Sequence, residues 1–94
     1  MSIRKVGGNV LLAMCDADIL GKTLREGKVI FHVKERFYRG SKVNVEEAVA
    51  MIEHSTIVNM VGRNVVQLAV EEGYVHPEAV LNIDGVPHAQ IVKT

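Results

Sequence analysis

Hydrophobic and polar residues alternate most regularly between Lys28 and Tyr38. Four apolar residues share one side of this pattern, with Glu35 as the exception: Val29, Phe31, Val33 and Phe37. The other side carries Lys28, Ile30, His32, Lys34, Arg36 and Tyr38. Because successive side chains of a β-strand point to opposite faces, the pattern predicts a strand with one core face and one cationic face.

Two later segments have helical periodicity instead. In the first, "NVEEAVAMIEH", Asn44 is placed as an N-cap and Glu47 completes a capping box, which predicts a helix over 45–54. Its apolar stripe consists of Val45, Ala48, Val49 and Ile52. The second helix is predicted over 63–72, before Gly73, with an inner stripe of Val65, Leu68 and Ala69.

The remaining apolar runs are typical of strands. "IRKV", "GGN" and "VLLAMC" form a predicted hairpin, and the run 10–15 is apolar on both faces, as in a central strand. "STIVNMVG" is ambiguous, but Gly62 favours a strand and turn over a helix interior. In "AVLNIDGVPHAQIV", Asp84-Gly85 predicts a tight turn, and Pro87 belongs at a sheet edge or near the start of its strand.

The order of these elements predicts the fold class. It reads β, β, short helical turn, β, α, β, α, β, β, which indicates an α+β domain of two layers spanning residues 1–94. We expect a mixed or antiparallel sheet of five or six strands with the two main helices packed on it. A hydrophobic content of 48% argues against disorder.

The net charge is zero, but the two halves of the chain differ. Residues 1–42 hold nine of the eleven lysines and arginines and four acidic residues, whereas residues 43–94 hold seven acidic residues. This asymmetry is typical of a polyanion-binding face, and it is equally compatible with attraction between the two halves or between protomers.

Cysteine content and the first residues of the chain bear on its location. Cys15 is the only cysteine, which excludes a disulfide within the chain and fits a reducing compartment. The apolar run near the N-terminus is too short for a signal-peptide core or a membrane span. We therefore expect a cytoplasmic protein with no membrane partner.

Several stretches taken together resemble one protein family. "MCDADILGK", "ERFYRG", "NMVG" and especially "GVPHAQIV" resemble the small archaeal proteins of the domain-of-unknown-function 424 family. The resemblance covers nearly the whole chain. It implies a single α/β domain in an archaeal cytoplasm, and it implies no particular activity and no catalytic or binding residues.

Metal and catalytic motifs are incomplete. Asp16, Asp18 and Gly21 match the start of a calcium-binding EF-hand loop, but Leu20 and Gly27 stand where ligands are needed. Cys15 and the four histidines are too widely separated for a zinc motif: they are His32, His54, His76 and His88. We predict no metal, no cofactor and no enzymatic activity.

Two features keep weaker alternatives open. Cys15 ends a strand before a helical turn, which suits an activated thiol, although a lone cysteine in an apolar run is more often a core residue. "NMVGRN", with Gly62 and Arg63, is placed to bind an anion at a helix N-terminus or to form an ordinary tight turn.

The favoured hypothesis is a binding module associated with RNA or ribonucleoprotein. Lys34, Arg36, Arg39 and Lys42 are the predicted phosphate contacts, and Tyr38 is positioned to stack on an unpaired base. His88 and Gln90, on one side of the last strand, form a second candidate contact pair. The alternative is a protein–protein adaptor or homodimer without nucleic-acid binding.

Overall fold

The computed structural model describes residues 1–35 and 44–93. Two α-helices lie wholly in this part of the chain, α1 (Val45–His54) and α2 (Arg63–Glu71), together with the short 3₁₀ helices Ala17–Ile19 and Pro77–Ala79. The strands are β1 (Ser2–Val6), β2 (Asn9–Cys15), β3 (Thr23–Glu26), β4 (Val29–His32), β5 (Ile57–Val61), β6 (Leu81–Ile83) and β7 (Val86–Val92). The predicted α+β class is confirmed.

The main sheet has five strands in the order β1-β2-β5-β7-β6. Only its central pair, β2 and β5, is parallel, with Leu11 opposite Ile57, and the other pairs are antiparallel. The sheet is therefore mixed, as expected. β2 has a neighbour on each side, which confirms its central position.

Strands β3 and β4 form a separate two-stranded antiparallel sheet, in which Leu24 lies opposite Phe31. We refer to it as the β3–β4 hairpin. β3 is not predicted by the sequence pattern, because Thr23–Glu26 contains a single aliphatic residue and has no regular alternation. Its hydrogen bonds to β4, and not its own pattern, make it a strand.

One face of the main sheet packs on the helices. Leu12, Val58 and Met60 contribute to this core from the strands, and Ile52 and Ala69 contribute from α1 and α2. The predicted inner stripe of α1 is wrong at its first position, because Val45 is 57% exposed and only Ala48 and Ile52 are fully buried there. The first three residues of α1 are all exposed, although the periodicity of the sequence assigns Val45 to the buried face.

The β3–β4 hairpin covers part of the opposite face. Leu24 from the hairpin and Val33 just after it pack with Ile19, and the main sheet contributes Ala13 and Val61. Val33 is completely buried although it lies beyond the end of β4. This second core fixes the hairpin against the sheet and leaves the other side of the hairpin in contact with solvent.

The predicted turn between β6 and β7 is confirmed. Asp84 and Gly85 have φ angles of 56° and 75°, which are the two positive values that a type I′ turn requires. Pro87 is the second residue of β7, a strand with partners on both sides. Of the two placements expected for Pro87, the structure has the one near the strand start.

Helix α1 is held at both ends. The Asn44 side chain accepts a hydrogen bond of 2.8 Å from the backbone N–H of Glu47, as the capping box predicts. At the other end, the Lys93 ammonium donates to the carbonyls of Ile52 and Glu53 at 2.7 and 3.0 Å. A cation is stabilising there because the last carbonyls of a helix carry partial negative charge. Neither α1 nor α2 is long and apolar enough to span a bilayer.

Candidate functional site

The cationic strand predicted from the alternation is shorter than expected. β4 ends at His32, whereas the pattern predicted a strand to Tyr38. Within the described part, Phe31 and Val33 are turned inward, and Ile30 and His32 are exposed, as predicted. Val29 departs from this pattern, since it lies at the hairpin turn beyond the reach of the core and is 51% exposed.

The predicted phosphate contacts are described only in part. Lys34 lies just after β4 and is exposed. Arg36, Tyr38, Arg39 and Lys42 lie outside the described residues, so their positions relative to Lys34 stay predictions. Three further exposed cations belong to the β3–β4 hairpin or lie beside it: Lys22, Arg25 and Lys28. None of these three, nor Lys34, is ion-paired with an acidic side chain within residues 1–35 and 44–93.

A pocket of about 250 Å³ lies where the β3–β4 hairpin approaches β5, β6 and β7. It contains the second candidate pair, His88 and Gln90. Its lining comprises Phe31, Asn59, Met60, Val61, Ala79, Leu81, His88, Ala89 and Gln90. Met60 and Ala89 point to the other face of the sheet, into the core against the helices. The strand side chains that face the pocket are therefore those of their neighbours, Asn59, Val61, His88 and Gln90.

The register of β5 and β7 determines which groups meet in the pocket. Asn59 is paired with Gln90, and Val61 is paired with His88. Directly opposed residues of an antiparallel pair project from the same face of the sheet, so two amide side chains and an imidazole share one face. The shared side predicted for His88 and Gln90 is confirmed by this register.

His88 is the unusual member of the group. It is 9% exposed, and its buried Nε2 atom has no hydrogen-bond partner among the residues that the structure describes. The Phe31 ring meets the imidazole edge-on, with 4.8 Å between the ring centroids and an angle of 90° between the planes. Burial lowers the pKa of His88 below its usual value of 6.5, because the charged imidazolium loses its hydration there.

The lowered pKa of His88 predicts that acid destabilises the fold. As the pH falls through about 6.5, an unfolded chain binds a proton at this residue more readily than the folded chain does, so the unfolded state gains stability. The slope reaches at most about 1.4 kcal/mol per pH unit for one proton. Urea unfolding at several pH values between neutrality and about pH 5 measures it.

His88→Gln is expected to flatten that slope, since glutamine is polar and does not titrate. His54→Gln serves as the control, because it removes a histidine from an exposed position at the end of α1. If His88→Gln leaves the acid sensitivity of the wild type intact, His88 is not the group that causes it.

The proposed anion position at Gly62 is occupied by the chain itself. The Asp16 carboxylate accepts hydrogen bonds of 2.9 and 3.0 Å from the backbone N–H groups of Asn64 and Val65, in the first turn of α2. A carboxylate in that position satisfies the donors that a phosphate would need. The structure thus favours the tight-turn alternative for "NMVGRN".

Asp16 caps α2 and not the short helical turn that directly follows it. Asp16 does precede a short 3₁₀ turn, Ala17–Ile19, but its side chain makes no capping bond there. It caps α2, which lies far along the sequence, because the parallel pairing of β2 and β5 brings the ends of both strands together. Local spacing in the sequence contains no signal for such a cap.

Among the residues that the structure describes, Cys15 lacks the surroundings of an activated thiol. Its pKa is raised, chiefly because burial disfavours the thiolate. Cys15 pairs with Val61, which pairs in turn with His88, so two strand spacings, about 10 Å, separate the Cys15 and His88 backbones. Among residues 1–35 and 44–93, no three histidine, cysteine, aspartate or glutamate side chains are grouped so as to hold a metal ion.

Comparison with known proteins assigns the chain to a family. Residues 4–94 match the family described as "Protein of unknown function (DUF424)". The chain belongs to the DUF424 family. The resemblance based on "GVPHAQIV" and the other three stretches is thereby confirmed, and the match extends over both the β3–β4 hairpin and the pocket.

The fold of this DUF424 chain is similar to that of a solved protein. The crystal structure of an uncharacterized conserved protein from the archaeon Methanopyrus kandleri has a TM-score of 0.79 and 27% sequence identity to it. The similarity covers 99% of the DUF424 chain and 90% of the other chain. Among curated proteins, none matches this sequence.

Sequence reasoning missed two members of the pocket. Asn59 was taken as part of a turn, although it lies within β5, and Phe31 was taken as a core residue only. The alternation did indicate that Phe31 points toward the sheet. No sequence signal indicated that Phe31 would reach β7, because that depends on how the separate hairpin packs.

Proposed function

We propose that this protein is a non-enzymatic binding module that associates with RNA through the β3–β4 hairpin and the segment after it. Lys34, Arg36, Arg39 and Lys42 contact phosphates, and Tyr38 stacks on an unpaired base. The module works in the cytoplasm of an archaeon, bound to RNA alone or within a ribonucleoprotein.

The exposure of the cations on the hairpin side is the observation that carries the proposal. Phosphate binding requires basic side chains that are open to solvent and not already neutralised by acidic ones. Lys22, Arg25, Lys28 and Lys34 are exposed, and within the described part of the chain none of them has an acidic partner. No helix among the described elements packs on the outer side of the hairpin, because α1 and α2 belong to the core on the other face of the main sheet.

The pairing register adds to this support. Thr23 lies opposite His32 and Arg25 lies opposite Ile30, so these four side chains share the outer face of the hairpin. Arg25 thus projects from the solvent-facing side of a ribbon whose other side packs on the main sheet, a position from which a side chain can contact a phosphate. Phosphate contacts of this kind supply affinity without selecting a sequence.

Retention of single-stranded RNA on a filter tests the proposal. With four phosphate contacts, the logarithm of the affinity falls with the logarithm of salt concentration at a slope of about −2.8, a loss of roughly 50-fold between about 50 and 200 mM salt. Arg36→Ala combined with Arg39→Ala removes two contacts, and the slope is expected to become shallower by about 1.4.

A charge-matched control separates a local surface from a general charge effect. Lys5→Ala combined with Arg63→Ala removes the same charge from β1 and from the start of α2, both exposed positions outside the hairpin. This pair is expected to leave the slope unchanged. Absence of RNA retention at about 50 mM salt, or an equal effect of both pairs, contradicts the proposal.

A protein–protein adaptor or homodimer is the competing function. Large apolar side chains are exposed on several elements, among them Ile3, Ile30, Leu81 and Val92. If light scattering gives a stable dimer and RNA binding is absent at low salt, the competing function replaces the one proposed.

A further inference from the structure

We propose that the pocket lined by His88, Gln90 and Asn59 binds one unpaired, uncharged nucleobase. This inference rests on the proposed association with RNA, and it adds a specific site to it. The phosphate contacts in the segment after the hairpin hold the backbone of a single strand, and the pocket receives one of its bases.

The buried imidazole is the first observation that points to a ligand. More than nine-tenths of His88 is buried, its Nε2 atom has no hydrogen-bond partner within residues 1–35 and 44–93, and the residue is one of those that line the pocket. Folded proteins pair nearly all of their buried polar groups with protein atoms or water, and exceptions call for a functional explanation. A small rotation of the imidazole would bring Nε2 to the pocket, where a ligand that donates to it or accepts from it satisfies this atom.

The two amides define what kind of group can bind. Asn59 and Gln90 lie opposite each other across β5 and β7, and each amide offers both donors and acceptors. Neither side chain has a hydrogen bond to another residue within 1–35 and 44–93. Asparagine and glutamine side chains with free donors and acceptors suit the edge of a nucleobase, which presents the same two kinds of atoms side by side.

The lack of charged side chains in the pocket further restricts the class of ligand. None of the nine residues that line the pocket within the described chain is acidic or basic, apart from the histidine, whose pKa is lowered by burial. Phosphates, carboxylates and metal ions need opposite charges or several anionic ligands to offset their desolvation, so they do not fit here. A neutral group with an apolar body and a polar edge does fit.

The remaining walls suit a flat ring. Phe31, Val61, Ala79 and Leu81 are apolar, and Leu81 is 67% exposed. A pocket of about 250 Å³ is smaller than the usual range for drug-sized ligands, about 300–1,000 Å³, and is of the right order for a single base. Bases splayed out of a single strand are commonly held by such aromatic and apolar contacts.

The position of Phe31 brings the pocket close to the exposed cations on and beside the hairpin, Lys22, Arg25, Lys28 and Lys34. Phe31 belongs to β4, and its neighbours Ile30 and His32 face the outer, exposed side of the hairpin. A nucleotide whose base enters the pocket beside Phe31 therefore has its phosphate near the hairpin. This continuity favours a nucleobase over the amide of a peptide, which would make no use of the cations.

Titration of the ¹⁵N-labelled full chain with adenosine, guanosine, cytidine and uridine tests the site. Nucleosides carry no phosphate, so their binding depends on the pocket and not on the cationic surface. At least one of the four is expected to shift the resonances of His88, Ala89 and Gln90 saturably, with millimolar affinity. Gln90→Ala and Asn59→Ala are each expected to weaken this binding at least tenfold.

Two controls make the result specific. Gln67→Ala truncates another exposed glutamine, on α2 and away from the pocket, and is expected to leave nucleoside binding unchanged. Arg36→Ala combined with Arg39→Ala is expected to retain nucleoside binding while it flattens the salt dependence of RNA binding. The inference is overturned if no nucleoside shifts the pocket resonances, or if Gln90→Ala and Asn59→Ala both bind as tightly as the wild type.

The two proposals fail separately. RNA retention without nucleoside binding leaves the cationic surface in place and removes the base pocket. Saturable nucleoside binding without RNA retention supports the pocket and contradicts the association with RNA, since only the base would then be recognised.

Discussion

Replacing Gly62 with alanine is expected to be the most damaging single substitution near the candidate site. Gly62 has φ and ψ of 124° and 152°, a backbone region that only glycine adopts readily. An added Cβ would lie 2.5 Å from Cγ of Asp16, so it would also displace the carboxylate that caps α2. Strain and loss of the cap together are expected to cost about 3–4 kcal/mol, much of the stability of an ordinary domain.

Urea unfolding of Gly62→Ala measures this effect, and Gly85→Ala is its matched control. Gly85 also has a positive φ, 75°, but an added Cβ there meets no atom within 4 Å. The control should lose only about 1 kcal/mol, the cost of a left-handed conformation without a clash. Equal losses for the two variants would mean that the close approach to Asp16 contributes nothing.

Truncation of Asp16 is expected to have the second-largest effect. Asp16 is 8% exposed, and its carboxylate accepts from two backbone N–H groups in the first turn of α2. Asp16→Ala leaves both donors without that partner and removes a negative charge from the positive end of the helix dipole. We expect a loss of about 2–3 kcal/mol in the free energy of unfolding, since hydrogen bonds to a charged group contribute more than neutral ones.

Two companion variants define the origin of that loss. Asp18→Ala removes an exposed acidic side chain from the adjacent 3₁₀ turn and should change the stability by less than about 0.5 kcal/mol. Asp16→Asn keeps one acceptor oxygen and should recover part of the difference. If Asp16→Ala unfolds at the same urea concentration as the wild type, the cap is not a stabilising feature.

The sequence predicted the elements that have a strong internal pattern. These elements are the cap of α1, the Asp84-Gly85 turn and β2, which is apolar on both faces. Each depends on residues that are close together in the sequence. β3 was missed because its partner, β4, supplies what its own residues lack. The end of β4 was misplaced because alternation continues past His32, where the strand pairing stops.

The candidate site was harder to predict than the fold. Lys34, His88 and Gln90 were identified from charge and from spacing within single strands. The role of Asn59 depends on the β5–β7 register, and that of Phe31 depends on the packing of the hairpin on the sheet. The contact of Asp16 with α2 likewise depends on two strands that are distant in the chain. Each of these contacts joins residues that are far apart in the chain, so no short stretch of the sequence predicts it.

The parallel pair at the centre of the sheet also has a consequence for biosynthesis. Leu11 and Ile57 pair in the finished sheet, yet they leave the ribosome several seconds apart at the usual rate of about 5–20 residues per second. During this interval the apolar β2 has only β1 as a neighbour, and one of its edges stays open to other chains. We therefore expect nascent chains that stop before β5 to aggregate and to be held by chaperones, whereas the complete protein closes that edge itself.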